Sequence, residues 1–137
     1  MSNESLFALL LSLPIGVVSG LYSSLIVTKY ARFSELRREA LRIIRSINFV
    51  GDNEGAQIIE PDNLDALALI ASDLIGLGHD AAGKEANRIY DVILSSNAAA
   101  LAGAISAKRY LHLHASWQQQ VRCLGPNKRI YLPWGWP

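Results

Sequence analysis

An uncharged run of 24 residues near the N-terminus, Ser5 to Thr28 (SLFALLLSLPIGVVSGLYSSLIVT), constrains this chain more than any other feature. A stretch that long and apolar suffices to cross a bilayer as one helix. It is followed at once by KYARFSELRREALRIIR. Lys29, Arg32, Arg37, Arg38, Arg42 and Arg45 follow the run and no basic residue precedes it. The positive-inside rule then places everything from Lys29 onward in the cytoplasm, with Met1 outside. The expectation is a single-pass protein of the cell (inner) membrane. A secretory signal would need a positive n-region and a short apolar core. The segment MSNES carries neither Lys nor Arg, and the run contains Pro14 and continues past Ser19 and Gly20 into LYSSLIV. An uncleaved anchor is therefore expected.

Of the 137 residues, 1–50 are assigned to the anchor and a juxtamembrane helix, which leaves 51–137 for one small cytoplasmic domain. A hydrophobic fraction of 50% fits one span plus a helical domain, and is too high for disorder. The formal net charge of +1 conceals segregation: residues 1–28 carry −1, 29–50 +4, 51–96 −7 and 97–137 +5. Such blocks attract one another within a bundle, a neighbouring subunit or an anionic partner. Cys123 is the sole cysteine, so neither an intramolecular disulfide nor a cysteine-based metal site is available.

Within the run, Ser12, Gly16, Gly20 and Ser24 recur every four residues and fall on one stripe of a helix. Small residues at this spacing let helix backbones approach closely in lipid, although Gly and Ser are common in membrane helices anyway. Beyond it, Phe33, Leu36, Ala40, Ile43, Ile47 and Val50 alternate three and four apart, an a/d seam of under three heptads. Two uses compete: a self-associating stalk, or packing on the chain's own domain. No Pro or Gly interrupts the helix between Gly20 and Gly51, so it is expected to reach about Asn48.

The fold class expected is all-α: a transmembrane helix extended by an amphipathic juxtamembrane helix, a bundle of about three helices, and an extended Trp-rich tail. The stretch Gly51–Gly55 reads as an ordinary linker. Glu60-Pro61-Asp62 opens a helix whose buried face is Leu64, Leu67, Ala71 and Leu74, and Gly76-Leu77-Gly78 ends it. A second helix starts near Asp80 and buries Ala82, Ala86, Ile89 and Ile93. A third runs from Asn97 to about Leu124, stopped by Gly125-Pro126.

No catalytic motif is present: the chain has no G-x-S-x-G, no H-E-x-x-H and no P-loop. His112 and His114, two apart, face away from each other on a helix, and His79 stands alone in a turn, so no metal site is expected. Cys123 has Arg122 beside it but no positioned base. The best candidates for binding an anion are Lys108, Arg109 and His112, with Arg122, Lys128 and Arg129 able to join them. The competing use of these cations is pairing with the acids of residues 51–96. In the tail, Tyr131, Trp134 and Trp136 sit among prolines and are expected to dock onto protein.

The resulting expectation is a non-enzymatic, self-associating membrane protein without cofactors. Its partners are membrane lipid, copies of itself, and a protein or small anionic ligand, with nucleic acid not among them. The alternative is a ligand-gated, membrane-permeabilising effector that senses an anion such as a nucleotide. This layout looks like that of small membrane effectors in bacterial anti-phage systems, in architecture and not in motif.

Overall fold

A computed structural model describes residues 3–52, 55–59 and 63–132. The elements are α1 (Asn3–Ser46), β1 (Asn48–Asp52), β2 (Gly55–Ile59), α2 (Ala66–Gly76), α3 (Asp80–Leu101), α4 (Ala107–Arg122) and a short 3-10 helix, Lys128–Tyr131. The chain is mostly helical. Two compact units divide it, residues 1–32 and 33–137. The division falls inside α1, so the segment 33–46 packs with the bundle and not with residues 1–32.

In the first unit the apolar side chains face outward. Ile15, Val17, Val18, Leu21, Leu25 and Val27 are all well over half exposed. The Ser19 hydroxyl donates to the Gly16 carbonyl at 3.1 Å and the Thr28 hydroxyl to the Ser24 carbonyl at 2.8 Å. Both hydroxyls are thus satisfied within their own helix. Among the described residues no helix is long and apolar enough to cross a membrane. The side chains of Leu6–Leu11, an early part of the apolar run, lie outside that description.

In the second unit the apolar side chains turn inward. Phe33, Leu36, Ala40, Ile43 and Ile44 of α1, with Ile47 just after it, are buried with Leu67, Ile70 and Leu74 of α2, Ala86, Ile89 and Ile93 of α3, and Tyr110, Trp117 and Val121 of α4. The heptad seam read from the sequence is therefore a wall of the chain's own core. Its last member departs from the pattern: Val50 lies in β1 and is 66% exposed. The reason is a change of period. Alternation along a strand turns Phe49 inward and Val50 outward, where a helix would have kept Val50 on the buried face.

The fold is mostly helical, as expected, and adds one short strand pair that the sequence did not show. β1 and β2 pair antiparallel, from Asn48 opposite Ile59 to Asp52 opposite Gly55. Gly51, Asp52 and Gly55, expected in a linker, thus belong to the paired strands. Phe49 packs its ring 5.1 Å from Tyr110 and 6.0 Å from His114, which fastens the hairpin to α4. Glu60, Pro61 and Asp62, the expected start of the next helix, lie outside the described residues. α2 itself begins at Ala66 after a turn at residues 63–65. Asp65 does not cap that helix with its side chain; its carboxylate accepts the Tyr90 hydroxyl proton at 2.7 Å, joining α2 to α3.

Two glycines set the corners of the bundle. Gly78 has φ 84° and Gly103 φ 73°, a left-handed conformation in which a side chain is strained. Around Gly78 the amides of Gly78 and His79 bond back to Ile75 and Leu74, at 2.8 Å each. Around Gly103 the amides of Gly103 and Ala104 bond back to Ala100 and Ala99, at 3.0 and 2.9 Å. Both are the paired C-terminal bonds of a Schellman ending. The first was expected. The second relocates a helix boundary: α3 runs past Asn97 to Leu101, and α4 starts at Ala107, where the Ser106 hydroxyl caps it by accepting the Arg109 amide.

Candidate binding surfaces

α4 decides how the candidate cations are arranged. Lys108 and Arg109 stand in its first turn, His112 one turn on, and Arg122 in its last turn, all exposed. Fourteen residues at 1.5 Å rise put Lys108 and Arg122 about 20 Å apart. The five cations and His112 therefore form two groups at opposite ends of the bundle, and not one patch. Lys128 and Arg129, also exposed, belong with Arg122, because the 3-10 helix follows the C-terminal end of α4.

The end holding Arg122 is tied to the start of the second unit's core by several contacts. The Arg37 guanidinium donates to the Leu124 carbonyl at 3.2 Å and lies 5.8 Å from the centre of the Phe33 ring. Phe33 in turn packs 4.7 Å from the ring of His79. The Nδ1 of His79 accepts the Asn127 backbone N–H at 2.9 Å, and the Asn127 side chain donates to the Gly78 carbonyl at 3.1 Å. His79 is wholly buried. The sequence shows it only as a lone histidine in a turn; its position directly after a left-handed glycine was the available signal that it anchors a corner.

At the opposite end, His114 is also a structural residue. Its Nε2 donates to the Ile44 carbonyl at 2.8 Å and its Nδ1 accepts from the Gln118 side chain at 3.3 Å, which fixes the tautomer. Beneath it the Tyr110 hydroxyl donates to Asn97 at 2.6 Å inside the core, and the Tyr110 and Trp117 rings meet edge to face at 5.6 Å.

Glu39 holds Arg42, and Glu85 holds Arg88, each three residues apart on an exposed helix face. Arg88 hydrogen bonding holds the Glu85 carboxyl below its ordinary value of 4.5, while Glu85 raises Arg88. Arg88 also reaches Gln120 of α4 at 3.3 Å. Among the described residues no three His, Cys, Asp or Glu side chains gather as metal ligands. Cys123 is an exposed free thiol that accepts a hydrogen bond from Gln119 at 3.6 Å.

Between α2 and α3 lies an open cavity of about 380 Å³, lined by Ala68, Ala71, Ser72, Ile75, Lys84 and Asn87. Gly83 creates the close approach beside it. A methyl group there would stand 2.7 Å from the Ala71 carbonyl oxygen. One ammonium, one amide and one hydroxyl stand around an apolar floor.

In the stripe of small residues, a Cβ added at Gly16 or Gly20 would meet nothing within 4 Å. Tyr131 lies at the end of the 3-10 helix, its side chain outside the described residues, as are Trp134 and Trp136 of the tail. Compared with protein-family models, with curated proteins and with solved structures, the chain matches none.

Proposed function

We propose that this is a membrane-anchored, self-associating, non-enzymatic protein whose helical second unit faces the cytoplasm and carries its binding surfaces. One observation supports this reading above the rest. Over residues 14–28, α1 presents Ile15, Val17, Val18, Leu21, Leu25 and Val27 all round its circumference, each well over half exposed, with no charged residue among them. A helix apolar on every side is buried in something, a large core or a lipid bilayer. The second unit needs no such cover, because its own core is already closed by α1 from Phe33 to Ile47. The back-bonded hydroxyls of Ser19 and Thr28 suit a lipid environment, where an unsatisfied polar group costs several kcal/mol. Gly16 and Gly20, with open space above them, offer the face for a second copy. The six basic residues after the run orient the anchor with its C-terminal side inside.

The sensor reading, in which Lys108, Arg109 and His112 grip an anionic ligand, keeps these three together at the start of α4, but the length of α4 keeps Arg122, Lys128 and Arg129 from joining them. The anchored reading is tested by expressing the full chain and extracting membranes with alkaline carbonate. The protein is expected to stay in the pellet. Val18→Lys, which adds about 3 kcal/mol to the cost of insertion, is expected to move it to the supernatant. Crosslinking in the intact membrane is expected to give a dimer or higher species, reduced by Gly16→Leu with Gly20→Leu. A soluble, strictly monomeric chain would overturn the proposal.

A further inference from the structure

The fold brings together cations that are far apart in the sequence. Arg37 and Arg38 come from α1, Arg122 from the last turn of α4, and Lys128 and Arg129 from the 3-10 helix. The Arg37–Leu124 bond and the Phe33–His79–Asn127 contacts fix all three segments at the same end of the second unit. Arg38, Arg122, Lys128 and Arg129 are exposed there. Among the described residues, Glu35, Asp73 and Asp80 are acids at this end and Glu85 beside them is paired with Arg88, so the balance is positive.

The covalent chain says what this face meets if the anchor is in a bilayer. Phe33 follows Thr28, the last residue of the apolar run, by five residues. Even fully extended, five residues span only about 17 Å. Lys108 and Arg109 lie at the other end of α4, about 20 Å from Arg122. The same short connection carries Lys29 and Arg32, which extend the positive character toward the apolar run. The inner leaflet is anionic, and clustered Lys and Arg within a Debye length of it, about 8 Å in physiological salt, are drawn to it.

We propose that the end of the second unit formed by Arg37, Arg38, Arg122, Lys128 and Arg129 docks on the anionic surface of the membrane. The proposal rests on the anchored reading above. It makes the bundle a seated domain, held to the leaflet by charge, and not one that swings free on its anchor.

Cys123 supplies the probe. It is the chain's one cysteine, exposed, and next to Arg122. The full-length protein, labelled there with a fluorescent donor, is placed in nanodiscs carrying acceptor on the lipid headgroups. One set of discs is phosphatidylcholine alone; the other contains phosphatidylglycerol. Energy transfer is expected to rise at least twofold with the anionic lipid and to return to the neutral-disc value in high salt. The variant Arg122→Gln with Lys128→Gln and Arg129→Gln changes only exposed side chains. It is expected to keep the thermal melt of the parent and lose the dependence on lipid charge. Equal transfer in both kinds of disc, or a variant that responds like the parent, would overturn the proposal. A face that binds added poly-glutamate while ignoring lipid charge would overturn it in favour of an acidic protein partner. A chain that does not enter the discs at all would instead overturn the anchored reading.

Discussion

Residues 12–28 and residues 33–46 belong to the same helix and are similarly rich in large aliphatic side chains, yet they resolve them in opposite ways. The first segment leaves Leu21, Leu25 and Val27 more than half exposed, while the second brings Phe33, Ile43 and Ile44 to 1% or less. The difference lies in patterning. Between Phe33 and Ile47 the apolar residues keep to one side and Glu35, Arg38, Glu39, Arg42 and Arg45 hold the other. Between Ser12 and Thr28 no charged residue marks an outer side. An amphipathic stripe can be buried by a few neighbouring helices. An apolar surface all round needs a solvent that is itself apolar, or several copies of the chain.

This contrast can be broken most forcefully from the core side. Trp117→Ala removes the largest fully buried side chain and is expected to destabilise the second unit by about 4 kcal/mol in denaturant unfolding. The matching truncation on the exposed segment, Leu25→Ala, is expected to shift the same transition by less than about 0.5 kcal/mol. A large loss from Leu25→Ala would mean that this segment is packed within the monomer. Gly83→Ala comes next. Its methyl group runs into the Ala71 carbonyl and Ile75, so about 2 kcal/mol is expected to be lost. That outweighs the roughly 1 kcal/mol a helix gains from replacing Gly by Ala. A stabilised variant would show that α2 and α3 can move apart. Tyr110→Phe deletes the hydroxyl that donates to Asn97 in the core, and a cost of about 1 kcal/mol in the same unfolding experiment is expected.

The smallest effect concerns acid. Glu85 is held below 4.5 in the folded state by its bonds from Arg88. Its contribution is therefore complete above that value and is lost as pH falls through the lower, folded value. Glu85→Gln is expected to flatten the pH dependence of the melting temperature below about 4.5 and to leave it unchanged near neutrality. An unchanged slope in acid would show that the pair is not formed in solution.

Much of the bundle was legible because its helices obey one period. Leu67, Ala71 and Leu74, and Ala82, Ala86, Ile89 and Ile93, are buried as their spacing requires. Gly78 ends α2 where a glycine past an apolar face should. The other corner was not legible. Gly103 sits in AAALAGAISA, a run of good helix formers on both sides, and only its backbone angle reveals the break. The hairpin was hidden for a different reason. Each strand is five residues long, too short for alternation to show against the heptad spacing that continues through Val50. Of the candidate cations, sequence adjacency grouped Lys108, Arg109 and His112 correctly, but the length of α4 separates them from Arg122. The association of Arg122, Lys128 and Arg129 with Arg37 spans more than eighty residues, and no local signal announces it.

The wall that α1 lends to the core has a consequence during synthesis. Phe33 to Ile47 leave the ribosome before any of the helices that cover them, and Val121 is made about 70 residues after Ile47. At roughly 5–20 residues per second this face stays open for several seconds on the nascent chain. For that interval the newborn protein offers an apolar stripe flanked by arginines, a target for holding chaperones and a hazard for neighbouring chains.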